Sequence, residues 1–532
     1  MTSQGTAFPL SSVQNSALGS GYRGIDVRLG PPAVAAWCGA LLGLHLGSSE
    51  TASAWGLIGT AAVAATVILG WAVAKIVCGT RHPALTGAAA RMTRSTTSTT
   101  SVIPVAAMTA IIAVIACGGA GVARQQWETN PLLHTKRGES VSVYGRVIAD
   151  PIQAASSWDS SAWRITLLTP KKGRLLVTVA DSSADSRLTR GTIVAVQGRF
   201  DRPEDASPPF LGFIRAQDIT VVSPASRWHQ EVAAVKTTLH SLITAHAGSA
   251  GPLISGMAIG DDRGLPPATA DAMLTTSLTH LTAVSGSHIA ISLSVVGVLL
   301  PGMRRARALF TGAFLIAVVA VVGPQPAVLR AVGMGALAAW GMAMGRGGQS
   351  LAMLCAVTIA AILIDPWNAR SIGFALSTLA TLGLITLGRP LATRARSFIP
   401  EGTRSGPLAL ALVEASVIAT VAQLFTLPIL ALLNPWLPTW GIVANVLVAP
   451  LVTPLTLLGL GAAITCLWWP AAASFLIVLA SPLAQTMESV ALRIAQWPLA
   501  QLPWPGGGWA TLAATGITVG AVAALAKWAM VS

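Results

Sequence analysis

Charge is scarce in this chain. Asp, Glu, Lys and Arg make up 10% of 532 residues, hydrophobic residues 53%, and the mean hydropathy is +0.65. Soluble domains carry about a quarter charged residues, so most of the chain is expected in lipid. Acids are scarcer than bases, 20 against 34, a net charge of +14. That excess fits nucleic acid, anionic lipid or the basic cytoplasmic loops that orient membrane proteins, and composition does not separate them. No Gly-Lys dipeptide occurs, which excludes a Walker A loop and an ATP motor of that class. The last of the eight histidines is His288 and no HxHxDH-type cluster occurs, which removes the recognisable two-metal nucleases and hydrolases. No cofactor is expected. Cys38, Cys78, Cys117, Cys355 and Cys466 all fall in apolar stretches with no CxxC pair, so they read as packing residues and not as a disulfide framework. Residues 1–30 lack the basic-then-apolar succession of a cleavable signal peptide, so the first apolar helix, near 31–47, is expected to stay as an anchor.

The chain is rich in apolar segments, and their succession is interrupted once. Three open the chain, at 33–47, 52–78 and 102–123, and nine more run from about 279 to the end, giving about eleven or twelve spans of the ~20 residues a helix needs to cross hydrocarbon. Arg81, Arg91 and Arg94 lie between the second and third segments, which puts 79–100, and with it the N-terminal segment 1–30, in the cytoplasm. By parity, the polar stretch after residue 123 lies outside. The basic stretches at 304–307, 346 and 389–404 then recur at every second junction, and Lys527 places the C-terminus inside. Pro428, Pro450 and Pro454 break otherwise continuous apolar runs, and such breaks free backbone groups that must face protein or water. The expected organisation is an N-terminal segment 1–30, transmembrane helices 31–124, a polar domain 138–227, amphipathic mouth helices 228–278 and a channel domain 279–532. The fold class is mostly α: a polytopic membrane bundle, some spans broken or re-entrant, with one small extracytoplasmic β-domain.

The polar domain alternates with period two. Val141, Val143, Gly145 and Val147 share one face of a first strand, Trp163, Ile165 and Leu167 that of a second, and Leu175, Val177 and Val179 that of a third. Runs at 191–200 and 214–222 bring the number of short strands to five, which suits a small OB-like β-barrel or an open sandwich. The opposite face carries Tyr144, Arg146, Arg164 and Arg174, with Lys171 and Lys172 in the adjoining turn. Cations beside a flat ring make a track for a phosphate backbone; a plain polar exterior is the alternative, since residues 136–227 hold 13 basic against 9 acidic side chains.

The densest polar cluster in the apolar half runs from Ser277 through His280 and Ser285-Gly286-Ser287-His288, after a turn holding Asp261 and Asp262. Polar groups entering lipid depth are costly unless they face a bundle interior or water, so they mark either a path or hydrogen bonds across the bundle. Ser285 with His288 invites a serine-hydrolase reading. It fails for want of a later histidine to act as base. His280 and His288 with the two aspartates lack any HxxxH or HxH spacing, which argues against a metal site. Arg330, one turn into a helix entered from outside, either snorkels or lines a path for anions. Gln423 and Asn445 are the neutral polar candidates, Glu414 and Glu488 the acidic ones.

Taken in order, Gly260-Asp261-Asp262 with Gly264-Leu265-Pro266, then Leu278-Thr279-His280-Leu281-Thr282-Ala283-Val284-Ser285-Gly286-Ser287-His288-Ile289, resemble the signature of the ComEC-type competence proteins, inner-membrane channels for transforming DNA. Pro326 to Arg330-Ala331, Asp365-Pro366 with Gly373-Phe374 and Ser377, Ala422-Gln423-Leu424 to Pro428, and Asn445 to Ala449-Pro450-Leu451 continue the likeness, strong over 253–460 and weaker before it. The resemblance implies a bacterial inner-membrane channel carrying single-stranded DNA into the cytoplasm during natural transformation. It implies three partners besides the lipid bilayer and an optional second copy of the chain: the single-stranded DNA, a DNA-receptor protein outside, and a cytoplasmic translocating ATPase. Asp261, Asp262, His280, Ser285, Gly286, His288, Arg330, Gln423 and Asn445 would shape the path. The family's usual metallo-β-lactamase-like carboxy-terminal domain is not expected here, and with it no strand-degrading activity in this polypeptide. A secondary transporter of a small anionic solute is the alternative, and an intramembrane hydrolase a more distant one.

Overall fold

The computed structural model describes residues 28–45, 102–154, 162–170, 173–180, 188–203, 208–282, 284–299, 303–323, 325–344, 349–399, 406–505 and 507–530. The segments 1–27 and 52–78, the loop 79–100, Lys171, Lys172 and Arg346 lie outside the described residues.

Two helices open the fold, α1 (Gly30–His45) and α2 (Val102–Glu128). They pack closely because α1 presents glycine to the backbone of α2. A Cβ on Gly39 would stand 2.6 Å from the Ala113 carbonyl oxygen, and one on Gly43 would overlap the Cys117 carbonyl. In lipid there is no hydrophobic drive between helices, so small residues that admit close contact carry the association. Trp37 Nε1 donates to the Ala369 carbonyl at 3.0 Å and fastens the pair to the main bundle.

The polar domain is formed by β1 (Ser140–Val147), β2 (Ile152–Ala154), β3 (Ala162–Leu168), β4 (Arg174–Ala180), β5 (Ile193–Asp201) and β6 (Phe210–Ser223). The period-two pattern holds residue by residue: Val143, Val147, Ile165, Leu167, Leu175, Val177 and Val179 are buried. The short β2 was not expected, and β6 begins at Phe210 and not at 214. The strand order is β1-β5-β6-β4-β3-β2, with a further antiparallel β1–β3 pairing through Arg146 with Leu168 and Val147 with Leu167, and a parallel pairing of β4 with β6.

The chain then makes α3 (Arg227–His246), α4 (Gly251–Ile259) and α5 (Pro267–Thr275), followed by α6 (Gly286–Leu299), α7 (Arg304–Val322), α8 (Pro326–Ala343), α9 (Ser350–Ile364) and α10 (Ile372–Gly383). A π-helical turn, Leu384–Gly388, joins α10 to α11 (Arg389–Arg396) in one continuous rod. Last come α12 (Gly406–Leu433), α13 (Gly441–Thr465), α14 (Pro470–Ala495) and α15 (Gly507–Met530), with a two-stranded ribbon of β7 (Trp436–Pro438) and β8 (Gln501–Pro503). Among the described residues, 8 helices are long and apolar enough to cross a membrane, and α1, α6 and α9 are shorter apolar helices. The chain is a mostly helical, multi-pass membrane protein. Two boundaries differ from expectation: the span expected from 279 starts at Gly286, after a 3-10 turn at Thr279–Leu281, and of the loop expected over 389–404, Arg389, Arg394 and Arg396 form the last turns of a helix while Arg404 lies outside the described residues.

Among the described residues, packing forms three apolar cores. One joins α1, α2, α9, α10, α12 and α15 and reaches into the β-domain. A second holds α3, α4 and α5 against the α13–α14 hairpin. The third is made by α6, α7 and α8. The hairpin tip lies beside α3, with Cys466 Sγ 3.8 Å from the Val235 carbonyl.

Candidate functional site

Arg330, on α8 of the third core, reaches across the seam to α10 of the first. Its side chain is 7% exposed, and Nε donates to Ser377 Oγ at 2.8 Å. Among the described residues no carboxylate pairs with it. Its Nη2 lies over the first residue of α6, where a Cβ on Gly286 would come within 3.0 Å. The lack of a side chain there lets a guanidinium approach the amino end of a helix that it repels electrostatically, since that end carries unpaired N–H groups and partial positive charge. A cation held in that place with no counter-charge is an arrangement suited to an anion. Further along α6, His288 is 2% exposed; its Nδ1 accepts the Ser285 backbone N–H at 3.3 Å, which leaves the proton on Nε2, and among the described residues Nε2 has no partner. Ser285 Oγ is taken up by Ser287 Oγ at 2.6 Å. Ser377 belongs to this site, although the sequence offers it only as a motif residue of an apolar helix, with no sign of its partner.

The loop before α5 is built differently. Gly260 closes α4 in the left-handed conformation, φ +70°, its N–H bonded to the Gly256 carbonyl while the Asp261 N–H reaches that of Ser255. The turn directs Asp261, 6% exposed, onto Arg263: Nε to Oδ1 at 2.6 Å and Nη2 to Oδ2 at 2.5 Å. Burial works to raise the Asp261 pKa, but the Arg263 hydrogen bonds and charge, helped by Lys236, hold it below the usual carboxylate range. Lys236 sits among the buried residues of α3 with Val232, Leu239 and Ile243, and its Nζ meets Asp150 Oδ2 of the β-domain at 2.6 Å. Asp261 therefore belongs to a charge network at the junction of the β-domain and the bundle, while Asp262 is exposed and its carbonyl accepts the Leu265 N–H.

A second seam, between the first and second cores, gathers His280, Gln423 and Asn445. Ser277 takes a left-handed conformation, φ +59°, and His280 Nδ1 lies 3.1 Å from its carbonyl. Gln423 Nε2 donates to the Pro438 carbonyl at 3.3 Å and Asn445 Nδ2 to that of Gly441 at 2.8 Å. A Cβ on Gly441 would touch both Ser277 Cβ, at 3.0 Å, and Gln423 Oε1, at 3.3 Å. Arg330, Gly286 and Ser377 thus form one cluster, His280, Gln423 and Asn445 another, and both lie where separate apolar cores meet. Of the acids, Glu488 accepts from Thr269 and Ser249, and Glu414 pairs with Arg396.

On the β-domain, Tyr144, Arg146, Arg164 and Arg174 are all exposed. Arg146 and Arg174 flank Leu168 in a single row across β1, β3 and β4, whereas Arg164 lies further along β3, opposite Ile152 and Thr178. Arg190 turns to the bundle and donates to the Ala320 carbonyl at 2.7 Å, in the last turn of α7.

Set against known families, residues 257–529 match the model described as Competence protein, just over half of the chain. No curated protein and no solved structure matches it.

Proposed function

The chain belongs to the competence protein family, and from that premise we propose that it forms the membrane passage by which single-stranded DNA enters the cytoplasm in natural transformation. The observation that carries the reading is Arg330: a cation sealed at a seam between two cores, without a carboxylate, against the amino end of a helix. A charged side chain costs about 2.5–3.5 kcal/mol at the centre of a spanning helix, and a structural role would be served by pairing it. An unpaired cation is suited to a transient anion, here the phosphate of a passing strand. The seam lined by His280, Gln423 and Asn445 supplies neutral hydrogen-bonding groups along such a path.

We read the β-domain as a small OB-like barrel on the extracytoplasmic side that guides the strand. The pairings β1–β5–β6–β4–β3–β1 run in a ring with one parallel pair, as a five-stranded OB-type barrel requires. The Arg146–Leu168–Arg174 row, with Tyr144 two residues along β1, supplies cations and a ring on one outer face.

Carrying each negative charge inward against an inside-negative potential costs about 2.3 kcal/mol per 100 mV, which a passive conduit does not supply. A cytoplasmic translocating ATPase and an external DNA receptor are therefore the partners of this reading. Deleting the chain should abolish entry of labelled DNA into the cytoplasm and leave surface-bound DNA unchanged. Loss of surface binding would assign it a receptor role instead, and normal entry would remove the proposal.

A further inference from the structure

We propose that the cleft between the β-domain and the end of α2 is a holding station for one nucleotide of a single strand, its base presenting an acceptor to Trp127 and its phosphate to Arg174. This rests on the reading of the chain as a DNA passage, and adds where the strand is handed from the β-domain to the bundle.

The cleft, of ≈ 210 Å³, is lined by Trp127, Leu168, Arg174, Pro209, Asp365 and Trp367 among others. A ligand in it touches the β-domain and two separate helical segments at once. Trp127 is 8% exposed, and its Nε1 is buried without an acceptor among the described residues. A buried donor left unpaired is a cost that an incoming acceptor relieves. Two cations serve this place: Arg174 in the cleft wall, and Arg202, whose guanidinium lies 5.5 Å from the centre of the Trp127 ring. Asp365 opposes them, but its Oδ1 accepts the Trp367 N–H at 3.1 Å, capping the turn after α9. An indole donor beside guanidinium groups matches the acceptors of an unpaired base and the charge of its phosphate. A duplex keeps its bases stacked and offers no single base to the cleft. Arg174 also stands in the row with Arg146, so the station continues the outer face of the β-domain inward.

The test uses the full chain in lipid nanodiscs with a fluorescein-labelled oligo(dT) single strand. Arg174→Gln should weaken binding about tenfold and Trp127→Phe, which keeps the ring and removes the N–H, about threefold, with thermal unfolding of both unchanged. An oligonucleotide carrying 5-iododeoxyuridine should cross-link, on irradiation, to the peptide that contains Trp127. Wild-type binding with unaltered affinity in both variants and cross-links elsewhere overturns the station and leaves the passage standing. No binding by the wild-type chain removes both.

Discussion

Replacing Arg330 by methionine separates a residue kept for function from one kept for stability. The substitution removes a charge whose cost in a spanning helix is at most about 2.5–3.5 kcal/mol, the value at the helix centre. It also removes the hydrogen bond to Ser377, and bonds of this charged kind contribute about 1.5–3 kcal/mol. Ser377 is not left stranded, because a helical serine can turn its hydroxyl to the carbonyl four residues back. The difference leaves Arg330→Met between about 0.5 kcal/mol less stable and about 2 kcal/mol more stable than the parent chain. Import of labelled DNA should nevertheless fall by at least about tenfold, because a strand phosphate meeting apolar surface in place of a cation loses one charge-assisted contact. The two readouts are equilibrium unfolding in mixed micelles and nuclease-protected label in intact cells. Arg330→Lys, which keeps the charge and loses the planar fork, should lie between the two in import. A variant destabilised by more than about 2 kcal/mol would refute the reasoning, since Arg330 would then be a cross-link between α8 and α10 and not an anion contact.

The packing yields three further expected outcomes. Gly286→Ala puts a methyl group 3.0 Å from Arg330 Nη2, so the guanidinium must shift; import should drop while insertion, read by protease protection, stays normal. Asp261→Asn breaks the pair with Arg263 and should lower stability by about 1–3 kcal/mol at neutral pH. Because the folded-state pKa of Asp261 is depressed, its contribution is complete above the unfolded value of about 3.9 and is lost as pH falls through the lower folded value. The gap between parent and variant melting temperatures should therefore be constant above about pH 5 and close below about pH 4; a gap that widened in acid would contradict the assignment. Finally, the tip of the α13–α14 hairpin lies against α3, which Lys236 ties to the β-domain. A cysteine replacing Trp469 should react with an impermeant maleimide from the same side as one replacing Tyr144, and labelling from opposite sides would show that the hairpin crosses.

At this hairpin the sequence carries little information on direction. Strict alternation puts the turn at 466–469 in the cytoplasm, but the turn holds no lysine or arginine, so the positive-inside bias is silent there. Apolar length measures whether a helix is compatible with lipid, not which way it runs. The polar cluster after Ser277 was legible because hydroxyls and histidines are rare at the head of an apolar run. Its division between two seams was not, because Gln423, Asn445 and Ser377 come from distant helices. Asp261 stands in the mouth motif, and that Arg263, two residues on, occupies both of its carboxylate oxygens is seen only in the folded turn. Lys236 escaped notice since a single lysine on an amphipathic helix reads as solvated, and only the approach of Asp150 makes its burial tolerable.

Local periodicity by itself determined the membrane class, the apolar segments and the inward faces of the strands, because burial in lipid or in a β-core selects side chains one residue at a time. Tertiary structure alone decided that β1 pairs with both β5 and β3, how the described helices divide among their cores, and that Arg330 meets Gly286 and Ser377 with no acid beside it among the described residues. Those are contacts between residues far apart in the chain. Their energies depend on pairs brought together by packing, and no single stretch of sequence contains both members of a pair.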